Sequence, residues 1–173
     1  VVVDVSRACE GNADYQVSTN DFAEWERANG EIPAGSIVIL RTGFGRRWPD
    51  RKSYMGTDER GAEAVPKLHF PGLHPEAARW LVTNRSIKAV GLDTPSIDYG
   101  QSTLFESHRV LFERNIPAFE NVANLDRVEQ TLDTSVYSNA SGAAIPCADY
   151  LGYGDVSAYN AHTVDNIYIC CDE

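Results

Sequence analysis

The sequence predicts a single α/β domain with a central mixed sheet flanked by helices. Three short apolar runs, at residues 1–5, 37–40 and 87–92, are bounded by turn-forming residues and have the length and composition of buried strands. Helix-like segments separate these runs over residues 1–128, an alternation that is typical of α/β proteins. With 173 residues and 43% apolar content, the chain can bury a core of its own.

Two of the separating segments carry clear helix signals. Phe22 and Trp25 recur at helical spacing after a good N-cap residue, and Gly30 provides a stop. Pro75 suits the first position of a second helix over residues 75–82. These helices connect the predicted strands, so they are expected to pack against the sheet.

A third helix is predicted after the loop of residues 93–100. Leu104, His108, Leu111 and Phe112 recur on one face of this segment, which ends by Pro117. The pattern places His108 on the buried side of the helix.

The composition and periodicity of the sequence change after residue 128. Small and polar residues without a clear period fill residues 129–173, with a candidate strand at 163–170. We therefore predict a core over residues 1–128 and a divergent, less regular C-terminal tail over residues 129–173.

Charge and hydropathy exclude two classes of partner. Fifteen basic and twenty-five acidic residues give a formal net charge of -10, which disfavours binding to nucleic acid or to an anionic membrane surface. The apolar runs are strand-sized, far short of the roughly 20 residues that a membrane helix needs.

Residues 1–5 lack an initiator Met, a basic region and a cleavage site. They therefore indicate a strand in a truncated or processed chain, and a cytoplasmic location is expected.

The residues with the clearest chemical potential lie on and around the third helix. His108 lies on its inner face, Asp93 and Asp98 precede it, and Glu120 follows it. Imidazole and carboxylate are ligand types for zinc or manganese. A single histidine on an apolar helix face is more often a hydrogen-bonded core residue, so spacing alone leaves both interpretations open. If both are ligands, the donor atoms of His108 and Glu120 should lie within about 3 to 4 Å.

Several segments are similar, in order, to those of one protein family. RTGFG at 41–45, LHFPGL at 68–73 and GLDTPSIDYG at 91–100 are followed by His108 and Glu120 in similar contexts. Over residues 1 to about 127, the chain resembles the cyclase family of metal-dependent hydrolases, of the bacterial kynurenine formamidase and isatin hydrolase kind. The resemblance implies the cyclase fold and a homo-oligomer.

The resemblance also implies an activity and a site. His108 and Glu120 correspond to metal ligands, and the implied cofactor is a divalent cation, Zn²⁺ or Mn²⁺. The implied reaction is hydrolysis of a small amide, an arylformamide or a cyclic amide such as isatin, by metal-activated water. Candidate substrate-binding residues, for which packing or simple loop exposure is the alternative interpretation, are Phe44, Trp48, His69, Phe70 and His74.

Two family features are missing from the 173 residues. The signature His-x-Gly-Thr-His-x-Asp-x-Pro-x-His, which supplies further ligands and a catalytic histidine, would lie upstream of residues 1–5, and residues 129–173 do not resemble the usual Gly-rich closing strand. The expected metal site is therefore incomplete in this chain, and no catalytic residue is assigned. The alternative is a non-catalytic cyclase-like structural or binding subunit.

Overall fold

The computed structural model describes residues 1–128, so the predictions for the tail lie outside the described residues. The strands are β1 (Val2–Asp4), β2 (Gln16–Val17), β3 (Ile37–Arg41), β4 (Gly72–Leu73), β5 (Ala89–Leu92) and β6 (Ala118–Phe119). The α-helices are α1 (Ser6–Gly11), α2 (Thr19–Asn29), α3 (Arg51–Met55), α4 (Pro75–Trp80) and α5 (Glu106–Phe112). The α/β fold class is confirmed.

The main sheet has the strand order β1-β3-β5-β6, and β2 pairs with β4 in a small second sheet. Every pairing among the described strands is parallel. The expected mixed sheet is thus represented within residues 1–128 by parallel strand pairs alone. A period of apolar residues shows where a strand lies but not its direction. Here each connection crosses over the sheet and returns the chain in the same sense.

Side chains from opposite faces of the main sheet enter separate hydrophobic clusters. Val3 and Val38 belong to a large cluster that includes residues of α2, α4 and α5, whereas Val2 and Ala89 belong to a smaller cluster with residues that follow β6. This alternation follows from the two-residue period of a strand. The four residues of β5 are all buried, as expected for a strand that is covered on both faces.

Capping residues and a proline account for the ends of α2 and the start of α4. Ser18 forms a capping box with Asp21 at the start of α2, and Gly30 ends the helix with φ 89°. Pro75 occupies the first turn of α4, and a π-helical turn, Leu81–Arg85, continues it toward β5. Within residues 1–128, every helix is too short or too polar to cross a bilayer.

The third predicted helix begins later than the apolar pattern indicates. α5 begins at Glu106 because Phe105 adopts a left-handed conformation with φ 49°. Leu104 therefore lies outside the helix, and it is 63% exposed, while Phe112 is 52% exposed. Leu111 is fully buried and His108 is half-buried, so only part of the predicted inner face points to the core.

Candidate functional site

A buried carboxylate organises the start of α5. Asp98 lies in the loop between β5 and α5 and is 3% exposed. Its carboxylate accepts hydrogen bonds from the backbone N–H of Ser107 at 2.9 Å and of His108 at 3.2 Å. These are backbone donors of the first helical turn, which have no partner within the helix. The carboxylate is therefore fixed relative to α5.

The His108 side chain lies between two carboxylates. Its Nδ1 atom is 2.5 Å from Oδ2 of Asp98, and its Nε2 atom is 3.0 Å from Oε1 of Glu120. The imidazole is 22% exposed, compared with 4% for the Asp98 side chain and 30% for that of Glu120. The side nearest Glu120 is thus the more open side of this group.

Glu120 reaches the site from the end of the last described strand. It directly follows β6, at the carboxyl edge of the parallel sheet, where sites in α/β proteins are commonly built. The backbone N–H of Ile97 donates a hydrogen bond to Oε1 of Glu120 at 2.7 Å. Adjacent residues of one loop, Ile97 and Asp98, therefore contact Glu120 and His108, respectively.

The charges of this group stabilise a protonated imidazole. Burial lowers the pKa of His108, but hydrogen bonds with Asp98 and Glu120 outweigh that effect and raise it to about 9. Burial raises the pKa of Asp98, but hydrogen bonds from His108 and Ser107 outweigh it and hold that pKa below its ordinary value. As long as no cation is bound, His108 is consequently an imidazolium at neutral pH that can donate from both ring nitrogens.

The small sheet supports the loop that carries Asp98. The backbone N–H of Leu73 in β4 donates to the carbonyl of Ile97 at 2.7 Å, and the Ser107 hydroxyl donates to the carbonyl of Leu73 at 2.6 Å. A Cβ atom at Gly72 would lie 2.2 Å from the backbone nitrogen of Tyr99. Only glycine permits this close approach of β4 to the loop.

Asp93, the other acidic residue of the predicted cluster, forms hydrogen bonds that stabilise the fold. It is 4% exposed, and its carboxylate accepts hydrogen bonds from the N–H and hydroxyl of Thr42 at 2.8 and 2.7 Å and from the N–H of Gly43 at 3.0 Å. Asp93 thus holds the loop after β3 against the end of β5.

The aromatic candidates for substrate binding differ in exposure. Phe44 is 1% exposed and Phe70 is 3% exposed, so both side chains pack in the core. Trp48 is 68% exposed and lies edge-on to Tyr54, with ring centroids 5.7 Å apart. The Tyr54 hydroxyl donates to the side chain of Asn121, the residue after Glu120, at 2.9 Å. A substrate contact at any of the three candidates stays a prediction.

The two histidine candidates lie on either side of β4. His69 is partly exposed, and its Nδ1 atom is 2.8 Å from Asp14. The Nδ1 atom of His74 accepts a hydrogen bond from the N–H of Glu76 at 3.1 Å and caps α4. His74 and Asp98 line a common open cavity of about 220 Å³. Their contact with a substrate also stays a prediction.

The structure brings together two potential metal ligands. The 3.0 Å between Nε2 of His108 and Oε1 of Glu120 lies within the separation expected for donors to one cation. Among residues 1–128, no group of three or more His, Cys, Asp or Glu side chains could hold a metal ion. The assignment of both residues as ligands stays a prediction, since donor proximity alone does not test it.

The contacts that support this pair are not apparent from the sequence. The sequence places Asp98 near His108, but it indicates neither the hydrogen bond between them nor the Ile97 N–H that contacts Glu120. Both contacts depend on the path of an irregular loop, which has no sequence period. The sharp turn that begins α5, at Phe105, is likewise absent from the apolar pattern.

The described residues form an α/β domain with a parallel sheet and a His–carboxylate pair at the carboxyl edge of that sheet. The family described as putative cyclase matches residues 1–99, and the chain belongs to this cyclase family.

The chain is similar to curated proteins with named activities. An isatin hydrolase from Roseibium aggregatum is 28% identical over 131 residues, 73% of this chain and 47% of the relative. A kynurenine formamidase from Bordetella avium is 38% identical over 60 residues, 35% of this chain and 28% of the relative.

Solved structures agree with the fold. Isatin hydrolase A from Labrenzia aggregata, bound to benzyl benzoate, has a TM-score of 0.68 and 29% identity, over 76% of this chain and 50% of that chain. Isatin hydrolase A from Ralstonia solanacearum has a TM-score of 0.67 and 29% identity, over 75% of this chain and 49% of that chain. The chain thus spans about half the length of these isatin hydrolases.

Proposed function

We propose that the protein is a metal-dependent hydrolase of small aromatic amides, in which His108 and Glu120 bind one divalent cation. The observation that carries this proposal is the 3.0 Å approach of the Nε2 atom of His108 to the Oε1 atom of Glu120. The expected homo-oligomeric state and cytoplasmic location accompany this proposal.

The donor chemistry of the pair fits a borderline cation. An imidazole nitrogen and a carboxylate oxygen are ligands that Zn²⁺ and Mn²⁺ accept. When bound, such a cation supplies Lewis-acid polarisation of an amide carbonyl and activation of a water. His108 offers Nε2 after losing the proton it shares with Glu120, while Asp98 keeps its contact with Nδ1. The remaining ligands come from outside residues 1–128.

The surroundings of His108 favour an aromatic substrate. Phe105 and Phe112 are 55% and 52% exposed, and both rings lie edge-on to the His108 ring, with centroids 6.2 and 5.3 Å away. Exposed aromatic faces beside a reactive group provide contacts for a flat ring. Isatin hydrolase and kynurenine formamidase are the named activities of the curated relatives. Together these support an arylformamide or a cyclic amide such as isatin as substrate.

A second candidate function is that of a non-catalytic cyclase-like structural or binding subunit. The observation that favours it is the two-donor set, since no larger group of potential ligands exists among residues 1–128. Two donors alone hold a cation weakly.

Metal content and hydrolysis distinguish the two functions. The full-length protein should contain near-stoichiometric Zn or Mn by elemental analysis and should hydrolyse N-formylkynurenine or isatin. His108→Ala and Glu120→Gln should each lose metal and reduce kcat/KM by about 100-fold or more, beyond the range seen for residues that only support a ligand. The matched control is Glu113→Gln, which alters an exposed carboxylate just after α5. Unchanged hydrolysis in both site variants would refute the proposal, and absent metal with absent hydrolysis would favour the subunit.

A further inference from the structure

The contact between Asp98 and His108 is on the side of the imidazole opposite Glu120. Asp98 Oδ2 lies 2.5 Å from Nδ1, and Glu120 Oε1 lies 3.0 Å from Nε2. The Asp98 side chain is 4% exposed and lies at Nδ1, on the far side of the ring from the Nε2 atom that faces Glu120. Its role toward a cation can therefore only be exerted through His108.

We infer that Asp98 is the positioning residue of this site, which fixes the ring orientation of His108 and keeps its proton on Nδ1, so that Nε2 is free to bind a cation. The cation-binding part of this inference rests on the proposed function. A carboxylate has only acceptor oxygens, and so its partner nitrogen must be the protonated one. In protein metal sites, such second contacts set the tautomer and direction of a ligating histidine.

The carboxylate is held rigidly enough to impose this direction. Oδ1 accepts the N–H of Ser107, and Oδ2 accepts the N–H of His108 together with Nδ1. Two of these donors belong to the backbone of α5, so rotation of the carboxylate would break hydrogen bonds in a buried environment. The loop also places Ile97 N–H on Glu120, and therefore one short segment orients both proposed ligands.

An asparagine at this position cannot satisfy the same partners. The amide has one acceptor oxygen and one donor nitrogen, whereas the site presents donors to both oxygens of Asp98. If the amide nitrogen faces His108, Nδ1 must become the acceptor and the proton moves to Nε2, which blocks that atom as a ligand. If it faces Ser107, two N–H groups oppose each other. Asp98→Asn therefore changes the tautomer or weakens the attachment of the loop.

Proton and nitrogen NMR of ¹⁵N-histidine-labelled protein tests the tautomer directly. The Nδ1 proton of His108, assigned by its loss in His108→Ala, should appear far downfield because of its short bond to a carboxylate. Asp98→Asn should remove or strongly shift this resonance. The matched control Asp58→Asn, on an exposed loop, should leave it in place. An unchanged resonance in Asp98→Asn would overturn the inference.

Cation affinity separates this inference from the proposed function. Titration of the full-length protein with Zn²⁺ should give a Kd that Asp98→Asn raises by about 10- to 100-fold and Asp58→Asn leaves unchanged. If His108→Ala abolishes binding while Asp98→Asn binds as tightly as the wild type, the positioning role fails and the proposed function survives. If wild type and His108→Ala bind alike, the proposed function fails, and the NMR experiment decides the role of Asp98. Should Asp98→Asn not fold, a zinc-saturated wild type with the His108 proton on Nε2 would equally overturn the inference.

Discussion

Substitution of Gly72 by alanine should disturb the site without changing any side chain in it. The added Cβ atom would lie 2.2 Å from the backbone nitrogen of Tyr99 and 2.5 Å from the carbonyl carbon of Asp98. Both opposing atoms belong to the backbone, so a change of rotamer cannot relieve the contact. Restoring an ordinary separation of 3.4 Å requires displacements of 1.2 Å and 0.9 Å, the differences between 3.4 Å and these two distances.

Such a displacement exceeds the tolerance of the Asp98 hydrogen bonds. The contact between Asp98 and Nδ1 of His108 is 2.5 Å, so a shift of nearly an ångström along it brings the separation beyond about 3.2 Å, the usual limit of a hydrogen bond. Overpacking of a tight interior site costs about 1–3 kcal/mol. We therefore expect Gly72→Ala to lower the free energy of unfolding by that amount.

Urea unfolding and amide hydrogen exchange measure the two effects. The N–H groups of Ile97, Ser107 and His108, which donate to Glu120 and Asp98, should exchange faster in Gly72→Ala. Gly11→Ala is the matched control, because a Cβ atom there meets nothing within 4 Å. Its unfolding free energy should change by less than about 0.5 kcal/mol. A Gly72→Ala protein as stable as this control, with unchanged exchange at the three amides, would show that a Cβ atom at this position does not disturb the site.

Three further predictions concern the scaffold. Asp93→Asn should lower the unfolding free energy by about 1–3 kcal/mol, because one acceptor for Thr42 and Gly43 is lost; an unchanged urea midpoint would contradict this. Burial raises the pKa of Cys9 to about 12, so iodoacetamide at pH 8 should modify Cys9 only after unfolding, as judged by peptide mass spectrometry; rapid labelling of the folded chain would be the opposite result. The hydrogen bond from Arg85 holds the pKa of Glu26 below its ordinary value, so its stabilisation is present above that ordinary value and is lost as the pH falls through the folded-state pKa. Glu26→Gln should accordingly lose less stability than the wild type between pH 7 and pH 3, and an equal loss in urea titrations would argue against the pair.

The sequence predicted the sheet because its strands are local apolar runs. The three predicted runs contain β1, β3 and β5, and the helices that begin near residue 19 and at Pro75 are confirmed. The sequence did not predict that all strand pairs within residues 1–128 are parallel or that α5 begins only at Glu106. The first depends on how the crossovers pack, and the second depends on the backbone conformation of one residue, Phe105. Neither property is encoded in a simple period.

The site shows a similar division. The approach of His108 and Glu120 follows from a helix face, a turn and a returning strand. The separation of about 3 to 4 Å expected for their donor atoms includes the observed 3.0 Å. The support from Asp98 and Ile97 depends on the fold of an irregular loop and on the close approach of Gly72. Contacts of this kind require the three-dimensional path of the chain.

Anomalous X-ray diffraction at the zinc edge, from crystals of the full-length protein grown with Zn²⁺, shows directly whether His108 and Glu120 bind one cation. We expect an anomalous peak about 2.0–2.2 Å from both the Nε2 atom of His108 and a carboxylate oxygen of Glu120. The Nδ1 atom of His108 should keep its contact with Asp98 in the same crystals. A saturated zinc site elsewhere in the molecule, with His108 still hydrogen-bonded to Glu120, would contradict it.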